Sequence, residues 1–143
     1  MKIIQILLVI TLMLSKSASA QKEISANKMH KVVMQLNTAD TSAWSGVIGN
    51  IKNFQKIWPN QVMIEVVVHG KALNFLVKDK SHLKDDVFQL ESDKIHFVAC
   101  ENTMNKYKIH KDMLIDKVGT VPSGVAEIVL KQEADWGYLK TGF

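Results

Sequence analysis

The chain has 143 residues, which is enough for one domain with a hydrophobic core of its own. Its formal net charge is +4, and all of the positive charge is lysine. Arginine is absent, so bidentate guanidinium recognition of phosphate or carboxylate is excluded. Lysines and acids are interspersed without a basic stripe, which argues against nucleic-acid binding. A single cysteine, Cys100, excludes a disulfide within the chain.

The first 20 residues have the pattern of an export signal. Lys2 gives a positive start, residues 3–14 form an apolar run, and residues 18–20 read Ala-Ser-Ala, a small-x-small cleavage sequence. We therefore expect cleavage after Ala20, a single mature domain at residues 21–143, and a periplasmic location. The apolar run is shorter than the roughly 20 residues that a membrane helix needs, so stable membrane insertion is not expected. An uncleaved N-terminal anchor is the alternative.

Along the rest of the chain, apolar runs of strand length alternate with segments of helical period. Strands are predicted at 31–37, 62–69, 95–100, 117–121 and 138–141. Apolar residues at three- and four-residue steps from Trp44 to Trp58 predict a helix that starts within 38–42 and ends at Pro59. Further helical segments are predicted at 71–78, 81–90 and 105–115, and from Pro122 to a stop at Gly137, with Val125, Ile128, Val129 and Gln132 on one side.

This order of elements predicts the fold class and the place of a site. The run at 62–69 is mostly apolar, as expected of a strand that is covered on both faces. Alternating strands and helices predict an α/β three-layer sandwich with a roughly five-stranded parallel sheet. Ligands of such sheets gather outside the carboxyl ends of the strands. Three polar clusters follow predicted strands here, at 37–40, 69–70 and 100–103.

Several stretches resemble, in order along the chain, the DsrE/DsrF-like (YchN-like) family. They lie at 50–53, 66–70 with 72–73, 97–104, 121–128 with 132, and 136–138. The resemblance implies one α/β domain with a five-stranded parallel sheet, assembly into trimers or hexamers, and a link to sulfur relay. It also implies that Cys100, after a central strand, accepts sulfane sulfur as a persulfide and passes it on.

Two features separate the chain from the cytoplasmic relay members of that family. The chain carries the pattern of an export signal, and residues 101–104, Glu-Asn-Thr-Met, do not reproduce the small-residue run that follows the cysteine there. The chain is more similar to the exported, mostly uncharacterised branch of the family. The sulfur donor and acceptor of the cytoplasmic members are therefore not carried over.

The position of Cys100 also suggests its chemistry. A thiol between a strand end and a helix start lies near unpaired backbone N–H groups and the positive end of a helix dipole, and both favour the thiolate. The thiolate is the form that attacks sulfane sulfur. The predicted site consists of the sulfur acceptor Cys100 and the binding residues Asn37, His69, Gly70, Asn102 and Thr103.

Two functions stay open at this point. The first is a sulfurtransferase-like carrier, with a protein or a small sulfur compound as donor and acceptor. The second is a non-catalytic homo-oligomeric module that binds a small ligand or a protein, with Cys100 as an incidental core residue. His69 either orients a ligand or bonds to a loop carbonyl, and Ser123 is an N-cap rather than part of an anion site. The histidines show no ligand spacing, so neither a metal nor a cofactor is expected.

Overall fold

The computed structural model describes residues 28–142. The predicted export signal, its cleavage after Ala20 and the start of the domain at residue 21 lie outside these residues. The strands are β1 (His30–Leu36), β2 (Val62–Val68), β3 (Ile95–Cys100), β4 (Gly119–Val121) and β5 (Gly137–Thr141). The helices are α1 (Thr41–Ile57), α2 (Lys84–Leu90), α3 (Glu101–Tyr107) and α4 (Gly124–Glu133), with 3₁₀ turns at Gly70–Leu76 and Lys111–Met113.

The strands form one parallel sheet in the order β4-β3-β2-β1-β5. The predicted α/β fold with a five-stranded parallel sheet is therefore confirmed. Because β1, β2 and β3 are neighbours and point the same way, the residues that follow them share one edge of the sheet. We call the residues 37–40, 69–70 and 100–103 the rim. The three polar clusters therefore meet at this edge, because the strands that they follow are neighbours in the sheet.

The two faces of the sheet are covered unequally. The larger core joins alternate strand residues such as Ile64 and Phe97 to buried side chains of α1, α2, α3 and the first 3₁₀ turn. Among residues 28–142, α4 is the one helix on the other face, where Ile128 packs against the strand residues Val33, Val67 and Val98. The sheet is thus the middle of three layers in this part of the chain.

A buried ion pair joins α4 to the middle of the sheet. The Lys131 Nζ lies 2.6 Å from the Glu65 Oε2, and Glu65 is buried. The same ammonium lies 3.5 Å from the Glu127 Oε1 and 4.5 Å from the ring centroid of Trp136. Burial raises the pKa of the Glu65 carboxyl, although the bond to Lys131 works against that rise. The pair holds the helix over β2 and so sets where its first residues meet the rim.

The helix predicted at 105–115 was wrong. The helix α3 starts directly after Cys100 and ends at Tyr107, because Lys108 has a left-handed backbone with φ of 56°. A short 3₁₀ turn, Lys111–Met113, replaces the second half of the predicted helix. The early start matters for function, since it places the first N–H groups of α3 beside the cysteine.

Other helix limits also differ from the prediction. The segment predicted at 71–78 is a 3₁₀ turn that includes Gly70, and the segment at 81–90 is helical only from Lys84. The helix α1 ends at Ile57, before Pro59. Gly137 does not end α4; it opens β5 after a turn made by Asp135, whose φ is 62°.

The predicted apolar side of α4 is only partly buried. Ile128 packs on the sheet, whereas Val125 and Val129 are 60% and 49% exposed. Because no other helix covers this face among residues 28–142, Val125 and Val129 are not packed against a further apolar layer. Within the same residues, no helix is long and apolar enough to cross a membrane.

Replacing Lys131 tests the buried pair. We expect Lys131→Met to lower the free energy of unfolding by about 3 kcal/mol near neutral pH, because Glu65 is left charged and unpaired. The raised pKa of Glu65 means that the folded protein keeps this proton to higher pH than the unfolded chain does. The loss should therefore shrink in mildly acidic solution. Urea unfolding at neutral and at mildly acidic pH measures this loss of stability. Lys56→Met, at an exposed position, is the control. Equal stability of Lys131→Met and the parent at neutral pH would contradict this account.

Candidate functional site

Cys100 is the last residue of β3 and the N-cap of α3. Its side chain lies on the face of the sheet that α4 covers, as does that of Val98 two residues earlier, because side chains alternate along a strand. The residue is 5% exposed. The thiol is thus almost enclosed, between the start of α3 and the start of α4.

Hydrogen-bond donors surround the thiol. Burial raises the pKa of Cys100, but hydrogen bonds from the Thr103 hydroxyl and from the backbone N–H groups of Gly124, Thr103 and Asn102 outweigh it. The pKa of the thiol is therefore held below its usual value. Because each of these donors favours the charged form, the site stabilises a thiolate without a neighbouring full positive charge.

Gly124 permits the contact between α4 and the thiol. A Cβ at this position would lie 3.2 Å from the Cβ of His69, 3.2 Å from the Cγ1 of Val67 and 3.3 Å from the Cβ of Cys100. These distances are shorter than ordinary van der Waals contact, and two of the three atoms are fixed directly to the strands. Glycine therefore lets the first turn of α4 approach closely enough for its N–H to reach the sulfur.

The N-cap prediction for this turn is confirmed, since the Ser123 Oγ accepts from the backbone N–H of Ala126 at 3.4 Å. The part played by Gly124 was missed. Glycine is a poor helix former, so its presence at the first helical position was the available signal of a close approach.

Thr103 links the thiol to the end of β2. The backbone N–H of Gly70 donates to the Thr103 Oγ1 at 3.1 Å, which leaves the hydroxyl proton of Thr103 for the sulfur. Gly70 has φ of 59°, in the left-handed region that favours glycine. A Cβ on Gly70 would lie 3.7 Å from the carbonyl oxygen of Asn37, so the end of β1 borders the same place.

A chain of hydrogen bonds fixes His69. The Tyr138 hydroxyl donates to the Gln35 Oε1, and the Gln35 Nε2 donates to the His69 Nε2 at 2.8 Å. The proton of the neutral imidazole is then on Nδ1. Burial lowers the pKa of His69, so the ring is neutral near pH 7. Sequence reasoning missed Gln35 and Tyr138, although a glutamine inside an apolar strand was a signal that something polar faces it.

The structure brings five of the six predicted residues together directly. His69, Gly70, Thr103 and Cys100 are connected by the contacts above, and Asn102 contributes its backbone N–H while its side chain is exposed. Asn37 borders them through its carbonyl oxygen. Within residues 28–142, no three His, Cys, Asp or Glu side chains are arranged to hold a metal ion.

The fold and the site together define a class of protein. It has a parallel α/β sheet and an enclosed cysteine at the carboxyl end of an inner strand. The chain belongs to the DsrE/DsrF-like family, whose model matches residues 9–140. Membership supports a sulfur-relay type of function at the level of the family. No protein of curated function shows a significant sequence match to the chain.

Solved structures with this fold include a protein of unknown function, MTH1491, from Methanobacterium thermoautotrophicum. It is 32% identical with a TM-score of 0.73, and the match covers 78% of this chain and 98% of that one. The ychN protein from E. coli is 14% identical with a TM-score of 0.63, covering 78% and 99%. The protein of unknown function BT1422 from Bacteroides thetaiotaomicron is 10% identical with a TM-score of 0.62, covering 77% and 93%. The last two likenesses concern the fold alone.

The Thr103 hydroxyl offers a direct test of the thiol environment. We expect Thr103→Val to slow alkylation of Cys100 by iodoacetamide near pH 7 by about threefold to tenfold, because the thiolate fraction falls as the pKa rises. Thr103→Ser keeps a hydroxyl and should restore the rate.

The matched control for this test is Thr120→Val. The Thr120 hydroxyl donates to the Glu101 Oε1 at 2.7 Å, at the same edge of the sheet but not to the sulfur. Its loss should leave the alkylation rate of Cys100 unchanged. Equal rates for Thr103→Val and the parent, with both proteins folded by circular dichroism, would show that the hydroxyl does not support the thiolate.

Proposed function

We propose that the protein is a sulfur carrier in which Cys100 holds sulfane sulfur as a persulfide. This proposal rests mainly on the hydrogen-bond donors to the thiol, which belong to Thr103, Asn102 and Gly124. They keep the pKa of Cys100 low in spite of its burial. A structural core cysteine has no need of such donors, and burial alone would keep it protonated and inert.

The transfer step needs no external oxidant. The Cys100 thiolate attacks the outer sulfur of a donor R–S–SH, the S–S bond of the donor breaks, and R–S⁻ leaves with the electron pair. Cys100 then bears –S–SH, which loses its proton readily to become an anion. Delivery is the same step with an acceptor thiolate attacking the outer sulfur of the Cys100 persulfide.

The rim residues supply the contacts for the donor in this scheme. Asn37, His69 and Asn102 lie at the edge where the donor must approach, and the Thr103 hydroxyl holds the thiolate that attacks it. His69 is neutral, with its proton on Nδ1, and so acts as an orienting donor rather than as a cation. The enclosure of Cys100 favours a small sulfur compound, or a narrow extended segment of a protein, as the group that delivers sulfur.

The cellular setting and the assembly belong to the same proposal. The leader pattern at residues 1–20 supports export with cleavage after Ala20, and hence transfer in the periplasm. Exposed apolar side chains on α4 and β5, which no other described residues cover, support assembly into a trimer or hexamer. They are Val125, Val129, Leu130 and Tyr138.

A second candidate function rests on one observation. Cys100 is 5% exposed, which is typical of a core residue. In this alternative the rim binds a small ligand or a protein and the cysteine is incidental. Reaction of the native protein with a thiol reagent separates the two. A carrier reacts while folded, whereas an incidental cysteine reacts only after unfolding.

Mass spectrometry tests sulfur carriage itself. After exposure to polysulfide and removal of the excess, the intact parent protein should gain about 32 Da, the mass of one sulfur atom, and lose it on reduction. Cys100→Ser should gain nothing. The size and fold of the variant are checked by circular dichroism and gel filtration. If the parent gains no sulfur under conditions in which its thiol is reduced, sulfur carriage is not its activity.

A further inference from the structure

The helix α4 covers the thiol but has few apolar contacts with the sheet. Its first turn lies against Cys100, since Gly124 permits the contact and donates its N–H to the sulfur. Its buried residues are Gly124 and Ile128, whereas the longer helix α1 buries five. Elements with few buried apolar contacts open locally at a low cost in free energy. Because Ile128 belongs to the smaller core, α4 can be displaced without unfolding the larger one.

The buried ion pair is the second attachment of α4 to the sheet. The Lys131 Nζ lies 2.6 Å from the Glu65 Oε2, two helical turns after Gly124. The other carboxyl oxygen of Glu65, Oε1, is buried without a hydrogen-bond partner in the described part of the chain. Such an oxygen loses its hydration and gains nothing in return, and water would reach it if the helix moved away. Lys131 therefore holds α4 on the sheet, while the charge of Glu65 favours its release.

This balance depends on pH. Burial raises the pKa of the Glu65 carboxyl in spite of the bond to Lys131. The carboxyl thus binds its proton more tightly when α4 covers it than when water reaches it, so protonation stabilises the covered state. Release of α4 is favoured near neutral pH and disfavoured in mildly acidic solution. The other titratable groups on this face are Glu127 on α4, His96 beside Glu65 on β3, and Lys31 on β1.

We propose that α4 is a lid over Cys100 that opens locally to admit the sulfur donor, and that Lys131 and the charge of Glu65 set how often it opens. The inference rests on the proposed function for the identity of the compound that enters, whereas the opening itself does not. A lid accounts for the reaction of a thiol that is 5% exposed in the folded protein. The closed helix holds the thiolate, and the displaced helix lets the donor reach it.

The rate at which dithiodipyridine labels Cys100 in the folded full-length protein measures the opening. We expect Lys131→Met to speed labelling at neutral pH by about tenfold to a hundredfold, because charged Glu65 then lacks its partner. Loss of a positive charge would by itself disfavour the thiolate and slow the reaction, so a faster reaction reports opening. The rate should change little with low concentrations of urea, since displacement of one helix exposes little surface.

Two variants serve as controls. Lys52→Met breaks a surface ion pair on the other face of the sheet, where the Lys52 Nζ lies 2.8 Å from the Asp86 Oδ1, and should leave the rate unchanged. The double variant Glu65→Met/Lys131→Met has no buried charge in the pair and should react no faster than the parent. All variants are compared in the same oligomeric state, checked by gel filtration, because a neighbouring copy on α4 also restrains the helix. Acceleration in either control equal to that of Lys131→Met would contradict the role of the buried pair.

The pH dependence is read from the labelling rate of the parent divided by that of the double variant. Both proteins lose thiolate alike as the pH falls, and both keep Glu127, His96 and Lys31, so these effects cancel in the ratio. We expect the ratio to fall from neutral to mildly acidic pH, because protonation of Glu65 closes the lid of the parent alone.

Three results would overturn the proposal. They are labelling of Lys131→Met at the rate of the parent, a rate in that variant that rises with urea as steeply as global unfolding does, and a ratio that is constant across pH. If Lys131→Met does not fold, the ratio decides alone. The failures of the two proposals are distinguishable. Sulfur gained by a parent whose labelling shows no lid removes only this inference, whereas lid opening without any sulfur gain removes only the carrier function.

Discussion

The close approach of α4 to the carboxyl ends of β2 and β3 is the constraint on which the site depends. The helix can approach this closely only because residue 124 is glycine, which has no side chain to collide with His69 and Cys100. Ile128 and the Glu65–Lys131 pair hold the helix against the sheet further along. The first N–H of α4 and the N–H groups at the start of α3 therefore reach the same atom, the sulfur of Cys100. The starts of α3 and α4 together supply the donors that one helix start alone would not.

The charge state of the thiol follows from a balance between enclosure and donors. Enclosure disfavours the thiolate, and the hydrogen bonds around Cys100 favour it more strongly. These donors are dipoles fixed by the backbone and by Thr103, so no ion pair has to break when a new sulfur arrives. Burial also keeps the neighbouring His69 neutral. The site therefore favours the thiolate form of Cys100.

The fold was largely predictable because the inner strands β2 and β3 are mostly apolar on both faces. Such runs stand out from their polar flanks, and β3 has the predicted limits. The helix after Cys100 was misplaced because α3 has only seven residues and buries just Thr103 and Met104, too few for a recognisable period. The residues of the rim were predictable from strand ends alone. Gly124 and Gln35 were unusual residues for their positions, but their partners and the part played by Tyr138 were not predictable, because these contacts join segments that only the folded sheet brings together.

The pKa of Cys100 in the native full-length protein tests the central claim most directly. Since the chain has one cysteine, labelling the Cβ of cysteine gives a single resonance whose chemical shift can be followed across pH. We expect a titration midpoint below the usual value for a cysteine thiol, measured on the urea-unfolded protein. A midpoint at or above that value would mean that enclosure outweighs the donors, and the cysteine would then be a structural residue of the core.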